Sequence, residues 1–330
     1  MKILVTGGAG YIGSHTVLEL LNAGHDVVVF DSLEKSTLKN LDEIKIMTGK
    51  NISFMKGDLL SYDLASLLKE QSPNAIIHFA GYKNAGESVK EPSKYHRTNV
   101  YGTFLLLEAM RETNVNKIVF SSSCSIFGNP EKLPISEDLL PNPISAYGKS
   151  KLMVEYMLKD YEIAYGISSV ALRYFNAAGA HESGKIGEEV KATGNIIPLI
   201  MENLLGHRSG FTLFGDKFNT PDGTQERDYV HVMDLANGHL KALEKLEYSE
   251  GFFFYNLGTG TPSSNKKLIE LSENISGKKL AYEISGPRAG DPDFVYADPK
   301  KANTELGWTP KYSIEEIIKA AWNWHSKNLS

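Results

Sequence analysis

Through the first half of the chain, short unbroken apolar runs alternate with longer stretches in which apolar positions recur at helical spacing. "KILVTGG" (2–8), "DVVVFD" (26–31), "AIIHFAG" (75–81), "KIVFSSS" (117–123) and "SSVALRYF" (168–175) are rich in β-branched residues and mostly close on Gly, Asp or Ser, as buried strands do. Between them, "IGSHTVLELLNAG" (12–24) and "NVYGTFLLLEAMRETN" (99–114) read as helices. This alternation predicts an α/β protein built on a doubly wound parallel sheet of the Rossmann type. Past residue 176 the rhythm breaks: Gly, Pro and Asn increase, strands shorten, and "KKLIELSENISG" (266–277) and "SIEEIIKAAWNWHSK" (313–327) read as isolated amphipathic helices. The expected division is a dinucleotide domain over 1–175, with segments near 228–258 returning to it, and a smaller α/β lobe over 176–330.

At 330 residues and 42% hydrophobic, the chain is long enough for a large core. A net charge of −5, with no basic stretch, gives no footprint for nucleic acid. The single cysteine, Cys124, excludes an internal disulfide framework and suits a cytoplasmic location. The first apolar run is too short for a signal-peptide core, and no run reaches the ~18 residues of a membrane helix. His78 and His231 lie in apolar runs without metal-ligand spacing, so no metal is expected. Cys124 reads as a packed thiol, and Trp308, Trp322 and Trp324 read as core.

Two features carry chemistry. "TGGAGYIGSH" follows the first strand and opens a helix; its Gly7, Gly10 and Gly13 leave bare backbone where a pyrophosphate meets free helix N–H groups. Asp31, ending the second strand, is placed to accept bonds from an adenosine ribose and would repel a 2′-phosphate, which favours NAD over NADP. "GDL" (57–59) puts Asp58 and Leu59 beside the adenine. The second feature is "AYGKSKL" (146–152), where Tyr147 and Lys151 share one helical face after "FSSSC". Strand ends line the crevice of such a sheet, so Ser123 and Tyr147 converge there. A free phenol, with pKa about 10, is a poor base; a nearby ammonium and a nicotinamide charge are expected to lower it towards working pH.

The segments "TGGAGYIGSH", "HFAGYKNAGESV", "FSSSCSIFG", "AYGKSKLMVE", "LRYFNAAGAHESG", "DGTQERDYVHVMDLA", "YNLGTG" and "RAGDPDFVYADPKKANTELGW" together resemble the UDP-glucose 4-epimerase family, in the extended branch of the short-chain dehydrogenases/reductases. The likeness runs from the first strand to about residue 325. It implies a redox-neutral epimerisation at C4 of a UDP-sugar, with Tyr147 as base, Lys151 on the nicotinamide ribose and Ser123 on the reacting sugar oxygen. The cofactor contacts it implies are Gly7, Gly10, Tyr11, Ile12, Gly13, Asp31, Asp58, Leu59, Phe79, Ala80, Gly81, Lys83, Asn99, Ser123, Tyr147, Lys151 and Phe175. On the substrate side it implies Lys83, Ser123, Tyr147, Asn176, Asn195, Phe214, Arg227, Arg288, Asp291 and Val295. Guanidinium groups suit a diphosphate, although each arginine taken singly also reads as a surface ion pair, Asp291 as a loop cap and Asn176 as a turn residue.

Rival readings differ at single positions. Nucleotide-sugar 4,6-dehydratases and decarboxylases usually carry carboxylates just after the serine, where this chain has Cys124, Ser125 and Ile126. Two further rivals are a reductase that exchanges its cofactor and a non-catalytic NAD-binding protein; the second would be expected to lack Tyr147 or Lys151. Members restricted to plain hexoses commonly have a tyrosine four residues after the position matched by Asp291. Val295 stands there, which predicts that N-acetylated UDP-hexosamines are also accepted. The resemblance also implies a homodimer through helices at about 93–114 and 145–165.

Overall fold

The computed structural model describes residues 1–189, 194–287 and 292–328. Its centre is a seven-stranded sheet of β1 (Lys2–Thr6), β2 (Asp26–Asp31), β3 (Ser53–Lys56), β4 (Ala75–His78), β5 (Lys117–Ser121), β6 (Ser168–Tyr174) and the later strand Phe252–Leu257. Every neighbouring pair is parallel. From one edge the order is Phe252–Leu257, β6, β5, β4, β1, β2, β3. β1 therefore pairs with β2 on one side and β4 on the other, and the chain winds away from β1 in both directions, which opens a crevice at the carboxyl ends of β1 and β4.

Both faces of the sheet are covered, which explains why its strands are apolar throughout instead of alternating with polar residues. Ile3, Val5, Val27 and Val29 face one core, with Val17, Leu20, Leu41, Leu235 and Leu243 from helices Tyr11–Asn22, Lys39–Thr48 and Val232–Tyr248. Leu4, Val28 and Phe30 face the other, with Leu67, Leu106, Met110, Val154 and Leu158 from helices Leu64–Gln71, Gly102–Thr113 and Ala146–Tyr165. The strand expected over 26–31 is matched, while the other four run one to three residues too long at their carboxyl ends, where the chain turns out of the sheet to form the crevice rim. The apolar runs do not pick out β3, a half-exposed edge strand. The helix expected over 99–114 starts earlier, as wide π-type turns over His96–Tyr101.

The two helices expected to be isolated are packed together. Leu268 and Ile269 of Asn265–Ser276, with Ile317, Ile318 and Ala321 of Ile314–Asn328, share a core with Ile200, Met201 and Leu204 of helix Ile196–Leu205. Each amphipathic stripe buries itself against the other two, so the second lobe has a core of its own. Trp308 and Trp324 are buried, and Trp308 Nε1 donates to the Asp234 carbonyl at 2.8 Å. Among the described residues no helix is long and apolar enough to cross a membrane.

Five histidines are buried with depressed pKa values, chiefly through desolvation: His15 and His78 at about 3, and His231, His239 and His325 at about 4. His78 is held neutral between Thr6 Oγ1 at 2.6 Å and Thr103 Oγ1 at 2.9 Å. In the unfolded chain each titrates near pH 6.5, so below that value the unfolded state binds protons that the native state refuses. Stability is therefore full above about pH 6.5 and falls towards the native values, by on the order of 1–2 kcal/mol per histidine at roughly pH 5. The melting temperature should drop steeply between about pH 6.5 and 5; a melting temperature that stays level across that interval in calorimetry contradicts this account.

Candidate active site

A cleft of about 510 Å³ lies over the carboxyl ends of the central strands. Among the described residues, every cofactor position expected from the sequence lines it except Asn99, Ser123 and Phe175. The glycine loop forms its floor. A methyl group at Gly13 would fall inside van der Waals contact of the Gly7 carbonyl oxygen and 2.9 Å from Gly8 Cα, so only a bare Cα lets the helix start against the strand end. Gly10 precedes the helix without a side-chain cap, leaving first-turn N–H groups directed at the cleft, as an anionic pyrophosphate requires. Asp31 Oδ1 accepts from Leu33 N–H at 2.9 Å and Ser36 Oγ at 3.0 Å, while Oδ2 accepts from Ala9 N–H at 3.0 Å. A carboxylate oxygen takes two such bonds, so Oδ2 retains acceptor capacity for a ribose hydroxyl. Asp58 lies on the same rim, its Oδ1 fixed by Leu60 N–H at 2.8 Å. This cradle fits a dinucleotide.

At the other end of the cleft, helix Ala146–Tyr165 presents Tyr147 and Lys151, both buried. Ser145 caps the helix by accepting from Gly148 N–H at 3.1 Å, and Tyr147 N–H donates to Ser88 Oγ at 3.0 Å. Gly148 allows the closest approach: any side chain there would collide with the Ser125 carbonyl, just past Ser123. Ser123 acts on the Tyr147 phenol, pulling its pKa down, and its Oγ accepts from Ser125 N–H at 3.1 Å. Lys151 Nζ donates to the Ser121 carbonyl at 2.6 Å and lies 5.9 Å from the centre of the Tyr147 ring.

The phenol departs from expectation. Burial pushes Tyr147 up to about 12, against the downward pull of the Ser123 bond. Burial also depresses Lys151 to about 7, with Glu155 opposing. The protein alone thus disfavours both ions, because desolvation outweighs the neighbouring charges.

Three expected cofactor residues are not among those that line the cleft. Asn99 is buried with its amide bonded internally: Oδ1 accepts from Tyr82 N–H at 2.8 Å, and Nδ2 donates to Tyr82 O at 3.0 Å and Ser150 Oγ at 3.1 Å. It ties the loop after β4 to the Tyr147 helix. Phe175 packs in the sheet core, and Tyr174, one residue earlier at the end of β6, lines the cleft, its hydroxyl bonded to Ser121 Oγ. Ser123 reaches the site through Tyr147, as described.

Towards the second lobe, Lys83 Nζ donates to Glu188 Oε1 at 2.7 Å, and Asn195 Nδ2 donates to the same carboxylate at 3.1 and 3.3 Å. Asn176 begins a short strand and bonds the Asp228 carbonyl through N–H and Nδ2, both at 3.0 Å. Arg227 and Val295 face each other in register across two parallel strands, Glu226–Arg227 and Phe294–Val295. The charges of Arg227 and Asp228 both reach Cys124, beside Ser123; burial and Asp228 push that thiol up to about 12, leaving it unreactive. Phe214 ends strand Phe211–Phe214, next to a second recess of about 360 Å³ lined by Phe218 and Ile284. Arg288 and Asp291 lie outside the described residues. Glu188, Tyr174 and the Glu34–Tyr82 bond at 2.6 Å across the cleft rim escape sequence reasoning. A strand-end rule points to Tyr174, whereas an acidic residue in an irregular loop gives no signal before folding.

The floor geometry predicts that Gly13→Ala, whose methyl meets backbone on two sides, loses NAD on purification and unfolds at lower temperature; nucleotide released per protein on denaturation reports it, and a normally loaded variant would refute the cradle.

The chain matches the family model described as GDP-mannose 4,6 dehydratase over residues 4–321. It is 47% identical to the UDP-glucose 4-epimerase of Bacillus subtilis (strain 168) over 333 residues, covering 100% of this chain and 98% of that protein. With the UDP-glucose 4-epimerase of Mus musculus the identity is 44% over 344 residues, again covering 100% and 98%. The crystal structure of UDP-glucose 4-epimerase from Bifidobacterium longum in complex with NAD+ and UDP superposes with a TM-score of 0.95 at 40% identity, covering 100% of this chain and 99% of that one. With the dinucleotide cradle, the Ser123–Tyr147–Lys151 group and full-length likeness in agreement, the chain belongs to the extended short-chain dehydrogenases/reductases and, within them, to the UDP-glucose 4-epimerase family.

Proposed function

We propose that this protein interconverts UDP-sugars that differ at C4, with NAD as a resident cofactor and no net redox change. The observation that carries the reading is the meeting of Ser123, Tyr147 and Lys151 at one end of a dinucleotide cleft, beside a second lobe whose Arg227 charge is felt at Cys124, the residue after Ser123. When bound, NAD supplies the hydride acceptor for C4 and the donor for its return. The Tyr147 phenolate takes the proton of the 4-hydroxyl, and Ser123 holds the same sugar oxygen. Once the 4-keto sugar has turned over and presents its opposite face for hydride return, Tyr147 gives the proton back to the sugar oxygen. Lys151, when protonated, stabilises the phenolate and holds the nicotinamide ribose. Burial of the three residues excludes water from the keto intermediate. Arg227, with Asn176, Asn195, Phe214 and the sequence-assigned Arg288 and Asp291, grips the nucleotide half, so residues 176–330 act as the substrate lobe. A dehydratase reading lacks the carboxylate it needs after Ser123, where Cys124, Ser125 and Ile126 stand.

Two finer statements belong to the same reading. Val295, small and opposite Arg227, leaves room for an N-acetyl group, so UDP-N-acetylhexosamines are substrates as well. Tyr101, Phe104, Met153 and Tyr156 expose apolar surface on two adjacent helices, which supports a homodimer through that face; a cytoplasmic location accords with the lone cysteine.

Protein given UDP-galactose or UDP-N-acetylgalactosamine without added NAD should convert both, and Tyr147→Phe should lower turnover by about 10³-fold or more. Failure of the parent to turn over either sugar, even with NAD supplied, removes the epimerase reading. Val295→Tyr is expected to suppress N-acetylated turnover selectively; an unchanged ratio of the two substrates rules out the pocket-size argument.

A further inference from the structure

Three consecutive serines at the end of β5 meet three residues spaced one helical turn apart. Ser123 acts on the Tyr147 phenol, the Ser121 carbonyl accepts from Lys151, and Ser122 Oγ donates to Glu155 Oε1 at 2.5 Å. The first two pairs belong to the reacting group; the third lies one turn deeper. Glu155 is only 2% exposed, Arg173 5% and Ser122 0%. From β6, Arg173 grips the carboxylate bidentately, with Nε at 3.0 Å from Oε1 and Nη2 at 2.6 Å from Oε2. Its guanidinium also stacks 4.2 Å from the Phe254 ring centre. A buried ion pair is a poor device for stability alone, since an apolar pair of the same volume serves as well or better. Its place in the ladder suggests another task.

We propose that Glu155, held by Arg173, is a positioning residue for the reaction: it fixes the serine turn that carries Ser123 and supplies the anion that keeps Lys151 an ammonium. The proposal rests on the epimerase reading for its kinetic consequence, but its charge argument does not. Lys151 is buried among groups that give it little help. Tyr147 and Cys124 are uncharged near neutrality, Tyr174 at the end of β6 is a protonated phenol, and His78 on β4 is neutral, partly because Lys151 repels its proton. Arg173 on β6 is a like charge. Glu155 is the carboxylate that favours the charged amine, and without it both desolvation and the uncompensated charge of Arg173 act against Lys151.

The test uses NAD-loaded enzyme. In Glu155→Gln, the alkaline limb of kcat/KM should move down by about one pH unit, with turnover at neutral pH about tenfold lower. Lysine NMR on carbon-labelled protein, with the Lys151 signal assigned through Lys151→Met, should show the same fall in its titration independently of activity. Glu155→Asp, which keeps the anion, should return the limb towards the parent. Because Glu155→Gln strands a buried guanidinium, the neutral pair Glu155→Met/Arg173→Met is measured beside it; it should melt close to the parent yet keep the lowered Lys151 titration. If Lys151 titrates as in the parent in Glu155→Gln or, should that variant not fold, in Glu155→Met/Arg173→Met, Glu155 is structural only and the proposal is wrong. Should the parent convert no UDP-sugar, the epimerase reading fails, while the lysine titration still judges Glu155.

Discussion

Removing water from Tyr147 and Lys151 opposes the ionised form of both, raising the phenol to about 12 and lowering the ammonium to about 7. The rest of the site is arranged around that opposition. A phenol in water has no fixed direction; this one is held by a capped helix start, by Ser88 under its N–H, and by Ser150, which bonds the Tyr147 carbonyl at 2.7 Å while accepting from Asn99. Such fixed dipoles favour a charge that develops in place without having to reorganise when it does. On the proposed reading, a bound nicotinamide cation would favour the phenolate that desolvation opposes.

The same economy shapes the other end of the cleft. Because strand residues alternate between two covered faces, Leu4 and Val5 serve different cores, and a slip of one residue in β1 would exchange them. That register fixes where β1 ends, and so where Gly7 lies against the following helix. Gly7 N–H donates to the Phe30 carbonyl at 2.8 Å, and the next residue of β2, Asp31, reaches back to Ala9. The nucleotide cradle is thus anchored from two strands, and the packing of Val27 to Phe30 positions the Asp31 carboxylate as directly as the loop does.

The legible parts of this protein are those in which local physics decides. Buried parallel strands announce themselves as β-branched runs, and the glycine spacing, Asp31 and the Tyr147–Lys151 turn are short-range patterns whose geometry follows from one strand or one helix. The illegible parts depend on tertiary meetings. β3 lies at an edge and carries a mixed pattern; the helices Asn265–Ser276 and Ile314–Asn328 look solitary until helix Ile196–Leu205 joins them. Asn99 illustrates the difference well. Its position beside the cleft is readable, but its role arises from Tyr82 and Ser150, residues 17 and 51 positions away. Glu188 has no local signature at all, since its partners Lys83 and Asn195 come from different lobes.

Asp228 shows how the second lobe is aimed at the first. Its fully buried carboxylate accepts from Thr259 N–H at 2.8 Å, Gly260 N–H at 3.0 Å and Ala297 N–H at 3.1 Å, while its carbonyl takes both bonds from Asn176. Those bonds oppose the desolvation that raises its pKa. One side chain thereby joins the strand of Arg227, the strand of Val295 and the loop leaving the central strand Phe252–Leu257. The strands of Arg227 and Val295, proposed to face the nucleotide, are in this way tied to the central sheet.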